Sequence, residues 1–539
     1  MARPPKELRD LLDRDHTLYG GIVLGIDGHV IEMQARAVKV LKSPHQYDGA
    51  VHITGMAGGA INEALDRIGG AFVKLKIPPT PVSITINLAP AGLYKEGTWL
   101  DLPLAILMLL ASGYLPELPK SISKEHVLFG EVGLHGEIRK VSGTLSIAFS
   151  SVRHANSIIV PSGNEKEGWL VKFKPGGEKF AVYPAKTLQE VIDYFSGRRP
   201  LKSEIKAFTY EPAIAKAEDF STIKGQVQAK RAAIICAAGG HNLLLIGPPG
   251  EGKSLLASAL PGILPNLTKE EMAELTRIYS ACGQLESNTM AVTRRPMRTI
   301  HRSSTRQAVI GGGTGTPRPG EITLAHLGVL FMDEFPEFPP SVLESLRAPM
   351  EAGTISISRA ESTLEFPSRF TLVAAMNPCP CGYYHFRSDY CSCKYADVVK
   401  YQRKISGPIL ERIDLQVEMP PVSVDERFAE EEPNQTAKYK QVVQNARDRQ
   451  RLRFTGTDIP FNAAIPPSTL HDHCNFSASG VSSYKSIIKN HNISTRLTDR
   501  LAKVARTIAD IEDSEKIKPA HVQEAATFVI GGLLRDVMI

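Results

Sequence analysis

His241-Asn242-Leu243-Leu244-Leu245-Ile246-Gly247-Pro248-Pro249-Gly250-Glu251-Gly252-Lys253-Ser254-Leu255-Leu256-Ala257-Ser258-Ala259-Leu260 sets an apolar run, a glycine turn and a second apolar run in direct succession. The first six residues predict a short buried strand, and Leu255 to Leu260 predict a helix. Between them, Gly247 to Ser254 spell G-x-x-x-x-G-K-S. A strand feeding a glycine turn into a helix N-terminus aims several backbone N–H groups, and the positive end of the helix dipole, at one anion. Gly247, Gly250 and Gly252 let the backbone close on oxygen, with Pro248, Pro249 and Glu251 completing the loop. Lys253 offers a point charge to the outer phosphates, and the Ser254 hydroxyl can ligate Mg2+. The expected occupant is a nucleoside triphosphate, ATP with Mg2+.

Downstream, Gly328-Val329-Leu330-Phe331-Met332 is a second apolar strand, and it ends in Asp333-Glu334. Ligands collect at the C-terminal tips of open parallel sheets, so this strand delivers two carboxylates where a nucleotide sits. Asp333 is expected to hold Mg2+, directly or through water, and Glu334 to polarise the attacking water. A third strand, Phe370 to Met376, ends at Asn377, whose neutral amide suits placement of that water; a turn-capping Asn before Pro378 is the alternative.

The chain has 539 residues, enough for three or four domains of ordinary size. Apolar content of 42% and charged content of 22% are globular values and exclude wholesale disorder. A net charge of +6 permits nucleic-acid contact without requiring it. Met1 to Glu7 has no apolar stretch behind it, and the most apolar segment, Leu102 to Leu110, is too short to cross a bilayer. The expectation is a cytoplasmic protein with no membrane partner.

From Gly20 to about Ser196, short strands (Val30 to Val40, Val82 to Asn87, Val127 to Phe129, Ser157 to Val160) alternate with helical stretches (Ala60 to Ile68, Leu102 to Ala111, Leu188 to Tyr194). That pattern predicts an α/β domain. Gly197 to Glu204 is charged and aperiodic, as a linker is. Apolar patterning returns at Phe220 and breaks at Pro420-Pro421. Helices then dominate, including Arg496 to Ile511 and Pro519 to Val529.

The order of strand, phosphate loop, acidic pair and polar strand end resembles the AAA+ ATPases. Particular strings narrow the resemblance. Lys224-Gly225-Gln226, Ala237 to Asn242, Pro317 to Ile322, Leu324-Ala325-His326, Asn377 to Gly382 and Gly407 to Asp414 look like the magnesium-chelatase-like ATPases of the ComM/YifB family. The resemblance spans almost the whole chain. It implies an α/β multidomain protein: a Lon-protease-like (ribosomal-S5-type) α/β domain over 1–196, a linker over 197–218, an AAA+ P-loop α/β core over 219–420 with a cysteine insertion at 379–393, and a helical C-terminal lid over 421–539. It also implies a homo-oligomer, a hexameric ring. Arg412 then matches the arginine finger given to a neighbour's ATP, and Arg496 the lid residue that contacts nucleotide, with Arg500 a competitor for that role. Taken alone, such arginines are usually surface charges. One departure stands out: Arg295-Pro296-Met297-Arg298-Thr299-Ile300-His301-Arg302 replaces the family's Pro-His-His string.

Asn87 to Ala91, Lys95-Glu96-Gly97 and Asp101 to Ala105 carry the likeness to the Lon-type domain. Proteolysis of that type needs a serine activated by a lysine of lowered pKa. The corresponding positions hold Trp99 and Leu145, so neither half of the dyad is present. Ser112, Ser142 or Ser146 with Lys95 or Lys140 would have to form a displaced one.

Of seven cysteines, four crowd at Cys379, Cys381, Cys391 and Cys393. Two C-x-C pairs nine residues apart suit one tetrahedral Zn2+, a redox pair or plain structural thiols. The tip between them, Gly382 to Arg387, mixes aromatic and basic groups, as a base-stacking loop or a packed turn would.

The family resemblance implies a ring motor on single-stranded and branched DNA, a branch-migration helicase serving recombination of incoming DNA during natural transformation. Arg359, Arg302 and Arg306 are the basic candidates for its channel. The alternative is a protein-remodelling or magnesium-chelatase-type ATPase without DNA translocation. A Lon-like protease would need the missing dyad.

Overall fold

The computed structural model describes residues 6–47, 50–119, 122, 125–203, 217–285, 289–313, 317–358 and 363–531. The chain forms two compact units: Met1–Tyr210 with Thr268–Val292, and Glu211–Leu267 with Thr293–Ile539. Arg359 and most of the expected linker lie outside the described residues.

The first unit is built on a seven-stranded mixed sheet. Its strands follow the order Val51–Thr54, Thr80–Ala89, Asp27–His45, Asp15–Leu24, His126–Leu128, Ser157–Pro161, Ala181–Ala185. In Thr80–Ala89 the residues from Thr80 to Leu88 alternate between buried and partly or fully exposed, because successive side chains of a strand face opposite ways and one face meets the core. The helix Asp101–Ala111 is buried at every position, which explains an apolar run with no polar face. No helix among the described residues is long and apolar enough to cross a membrane.

The helix Lys269–Ala281 belongs to this first unit, although the sequence reading places it inside the 219–420 core. Its attachments are specific. Ser280 Oγ donates to Glu167 at 2.5 Å and accepts the Gly143 N–H at 2.8 Å, Arg277 pairs with Asp27 at 3.0 Å, and Lys269 lies over the Phe173 ring. Met272, Leu275 and Ile278 are its large buried apolar side chains, spaced as one helical face requires.

The second unit carries a five-stranded sheet in the order Met297–Ile300, Val329–Met332, Thr371–Met376, Leu243–Ile246, Leu415–Glu418. Every pairing is parallel, so all the C-terminal tips share one edge. Thr371–Met376 lies between the strand before the glycine turn and the strand before Asp333. Asn377 is thereby placed between phosphate loop and acidic pair. The loop strand is buried on both faces, with Leu244 and Ile246 in one apolar cluster and Leu243 and Leu245 in another. Helices Gln435–Arg453, Ala478–His491, Thr495–Ile511 and Pro519–Val529 form the C-terminal part. Ser494 caps Thr495–Ile511 by accepting the Leu497 N–H, and Leu501, Val504, Ala505 and Ile508 face the core.

Candidate nucleotide site

The helix after the glycine turn begins at Lys253, two residues earlier than the apolar pattern predicts. Gly250 and Gly252 have φ of +84° and +86°, a left-handed backbone that favours glycine, and a Cβ at either would meet no atom within 4 Å. The turn is therefore an open cradle. Lys253 is 8% exposed, and its ammonium donates to the carbonyls of Gly247 and Pro248, both at 2.7 Å, and to Asn377 Oδ1 at 3.1 Å. Burial lowers its pKa while Asp333 and Glu251 pull it upward. All three partners are neutral oxygens, so a charged phosphate oxygen can displace them with gain.

Ser254 Oγ donates to Asp333 Oδ2 at 2.7 Å, the hydroxyl and carboxylate that together suit a Mg2+ shell. Asp333 Oδ1 accepts the Glu334 N–H at 2.8 Å, and Glu334 takes a left-handed φ of 51°. That turn swings its carboxylate to Arg302, 3.0 Å away. Lys253 with Asn377 and Ser254 with Asp333 thus form two hydrogen-bonded pairs on consecutive loop residues, with Glu334 joined to Asp333 by its backbone. Donors, open cradle and carboxylate suit ATP with Mg2+.

The loop is held from below by residues the catalytic reading does not include. Asn242 donates to the Arg412 carbonyl at 2.8 Å and accepts the Leu372 N–H at 2.8 Å, joining the loop strand to the polypeptide on both sides of it. Asp414 accepts the Asn242 N–H at 3.0 Å and lies beside His241 and Arg500. Burial alone would raise that carboxyl, but His241 and Arg500 hold it below its ordinary value. Glu251 accepts the Val422 N–H at 3.1 Å and faces Arg387 and Arg427. The available signal was a polar residue interrupting an apolar strand.

Arg412 pairs with Glu351 and donates to the Pro408 carbonyl. Arg496 is 66% exposed and pairs with Glu411. Arg500 is 5% exposed and donates to the Ile413 carbonyl at 2.8 Å and to that of Glu411. Arg500 is thus committed to the fold, and Arg496 is the solvent-facing member of the pair.

The four cysteines lie beside this edge as free thiols, their sulfurs all within 4.8 Å of one another. In the first unit, three of the five residues considered for a displaced dyad, Lys95, Ser146 and Ser112, are engaged elsewhere. Lys95 is fully buried and spends its ammonium on the carbonyls of Gly55, Pro90 and Leu93. Ser146 Oγ donates to the Ile26 carbonyl at 2.7 Å and Ser112 bonds to Tyr47. Trp99 donates to the Ser142 carbonyl at 2.9 Å, and Leu145 is fully buried.

Over 88% of the chain, the sequence is 38% identical to YifB of Escherichia coli (strain K12), covering 90% of that protein. The chain belongs to the magnesium-chelatase-like family of the YifB and ComM proteins. The competence protein ComM of Haemophilus influenzae is 36% identical over the same share of this chain and 90% of its own length. Family profiles match at 219–427 (magnesium chelatase, subunit ChlI), 41–164 (subunit ChlI of Mg-chelatase) and 433–528 (subunit ChlI C-terminal). The magnesium-chelatase 38 kDa subunit of Cereibacter sphaeroides aligns at 27% identity with 30% of this chain and 52% of its own. The family is one of AAA+ ATPases, so this YifB/ComM-type protein is an ATPase that takes nucleotide and Mg2+.

Proposed function

We propose that this protein is an ATP-driven ring motor that moves branched DNA, a branch-migration helicase in recombination of incoming strands. The observation that carries the ATP chemistry is the two hydrogen-bonded pairs, Lys253 with Asn377 and Ser254 with Asp333, at one sheet edge. In this reading Glu334 polarises water, Asp333 and Ser254 hold Mg2+, and Asn377 helps place that water near the γ-phosphate. Arg412, on the turn that Asn242 fixes, serves the neighbouring subunit's ATP, and Arg496 reaches nucleotide from the lid. Such a division of residues makes a hexameric homo-oligomer the working unit.

Support for DNA as the cargo is the likeness to a protein named for competence across 88% of this chain, together with a net charge of +6. Residues 1–196 are read as a Lon-protease-like domain without its dyad, a scaffold for assembly or docking. In the same reading the four cysteines hold a structural Zn2+. The test is ATPase rate with and without single-stranded and branched DNA, followed by a junction-migration assay at low salt. No stimulation and no DNA binding would reject the DNA part.

A second reading, a chelatase-type or protein-remodelling motor, draws on the chelatase-subunit descriptions of the matching profiles. The short alignment with the 38 kDa subunit weighs against it. Turnover indifferent to every DNA but stimulated by a protein partner would favour it.

A further inference from the structure

The position of the four cysteines is as informative as their number. Cys379 Sγ lies 3.3 Å from Cys381 Sγ and 3.9 Å from Cys391 Sγ, and Cys381 Sγ lies 3.6 Å from Cys391 Sγ. Four thiolates about 2.3 Å from one Zn2+ have tetrahedral edges of about 3.8 Å, so the observed separations straddle those of a metal tetrahedron. The Tyr384 N–H points at Cys379 Sγ at 3.3 Å, and Gly382 N–H donates to the Cys379 carbonyl at 3.0 Å, closing the turn around the first two sulfurs.

This turn touches the nucleotide loop. A Cβ placed on Gly382 would lie 2.7 Å from Pro249 Cδ and 3.9 Å from Asn377 Cγ, and Gly382 has a φ of +89°. Asn377 sits two residues before Cys379 and accepts from Lys253. The intervening Pro378 carbonyl accepts from the buried Gln402 at 3.0 Å. Arg387, on the tip of the same turn, faces Glu251 of the phosphate loop. One short segment therefore carries two metal ligands, backs the loop at Pro249 and presents Asn377.

We propose that Zn2+ bound by Cys379, Cys381, Cys391 and Cys393 is a positioning element of the ATP site: it fixes the 377–382 turn so that Asn377 and the Pro249 side of the loop stand in register for the γ-phosphate. The proposal rests on the nucleotide and zinc parts of the functional reading and is independent of DNA. The cysteines are positioning residues, acting through Asn377 and Pro249. A metal that clamps neighbouring turns removes the freedom that a strand end otherwise keeps, so its loss reaches turnover through orientation.

The experiment uses the full-length protein. Metal analysis is expected to find about one Zn2+ per chain, and replacement with Co2+ to give the visible spectrum of a tetrahedral thiolate site. Cys391→Ser/Cys393→Ser is expected to lose the metal and to lower kcat for ATP by roughly tenfold with a smaller change in KM. Chelator-stripped wild-type protein should lose activity likewise and regain it on adding Zn2+. Gly382→Ala should keep the metal yet impair ATP use, since its methyl group strikes Pro249 rather than a ligand. Combined with Asn377→Ala, loss of the metal should cost less than the product of the two separate effects, because both act in part through the Asn377 amide. Absence of metal with no Co2+ spectrum overturns the site. Metal present, with effects of stripping and Asn377→Ala that simply multiply, overturns the coupling. None of these readouts changes if the protein ignores DNA.

Discussion

Glu334 is tied to Arg302, not left facing the open loop. Both side chains are more than half exposed, 51% and 62%, and such pairs contribute only about 0.2–1 kcal/mol. The carboxylate can therefore be exchanged from Arg302 to a catalytic water at little cost. Arg302→Ala is expected to raise basal turnover by about two- to fivefold in a phosphate-release assay; a fall would show that Arg302 itself serves the nucleotide. Lys253→Ala and Glu334→Gln should each reduce turnover by at least about a hundredfold, and retained hydrolysis in both would refute their assignments. The glycines, Lys253, Ser254 and the acid pair were legible because each is a residue type at a fixed spacing with one chemical use. Arg302 was legible only as a basic candidate for a DNA channel. Its partner lies 32 positions away on the next strand, and no local pattern encodes that pairing.

At the level of elements, the strands nearest the loop were readable from their apolar runs, whereas their order in the sheet was not. Parallel neighbours are chosen by crossovers and packing, and the insertion of Thr371–Met376 between its neighbours is a tertiary outcome. Asn242 is where that outcome becomes chemical. Asn242→Ala leaves the Leu372 N–H and the Arg412 carbonyl without their partner and is expected to cost about 2–4 kcal/mol, seen as a lower unfolding midpoint.

The helix Lys269–Ala281 offers a second test through Glu167. That carboxyl is buried, and burial pushes it up to about 7, against the pull of Ser280, the Leu145 N–H and Asn164. Because the folded value lies above the unfolded value of 4.5, the stability it confers is fully present below about pH 4.5. It is lost as pH rises through 7, a difference of about 3 kcal/mol. Glu167→Gln keeps an acceptor without the charge. Thermal unfolding of the variant should be flatter between about pH 5 and 8 than that of the unchanged protein, and an identical slope would remove Glu167 as the cause.

At the scale of the assembly, the trans role given to Arg412 makes a mixing experiment decisive. Arg412→Ala subunits have an intact loop, and Lys253→Ala subunits have an intact finger. Each should be inactive alone, while a mixture should regain measurable ATPase activity, because some interfaces then unite a working loop with a working arginine. Mixtures as inactive as their components would place Arg412 outside the neighbour's site. The two-unit partition was only partly visible in the sequence. The charged stretch near 200 signals a boundary, but nothing local in Lys269 to Ala281 announces that its buried face belongs with Glu167 and Gly143.

The chain passes between its two units three times, at Tyr210/Glu211, Leu267/Thr268 and Val292/Thr293. For anyone trimming the gene, neither unit is one continuous segment, and a cut at the linker leaves the first unit incomplete. A fragment starting at Glu211 would carry Met272, Leu275 and Ile278 on a helix stripped of its cover, an adhesive apolar stripe in water. A recombination at the linker alone would likewise divide the first unit, leaving Thr268–Val292 with the other part of the chain.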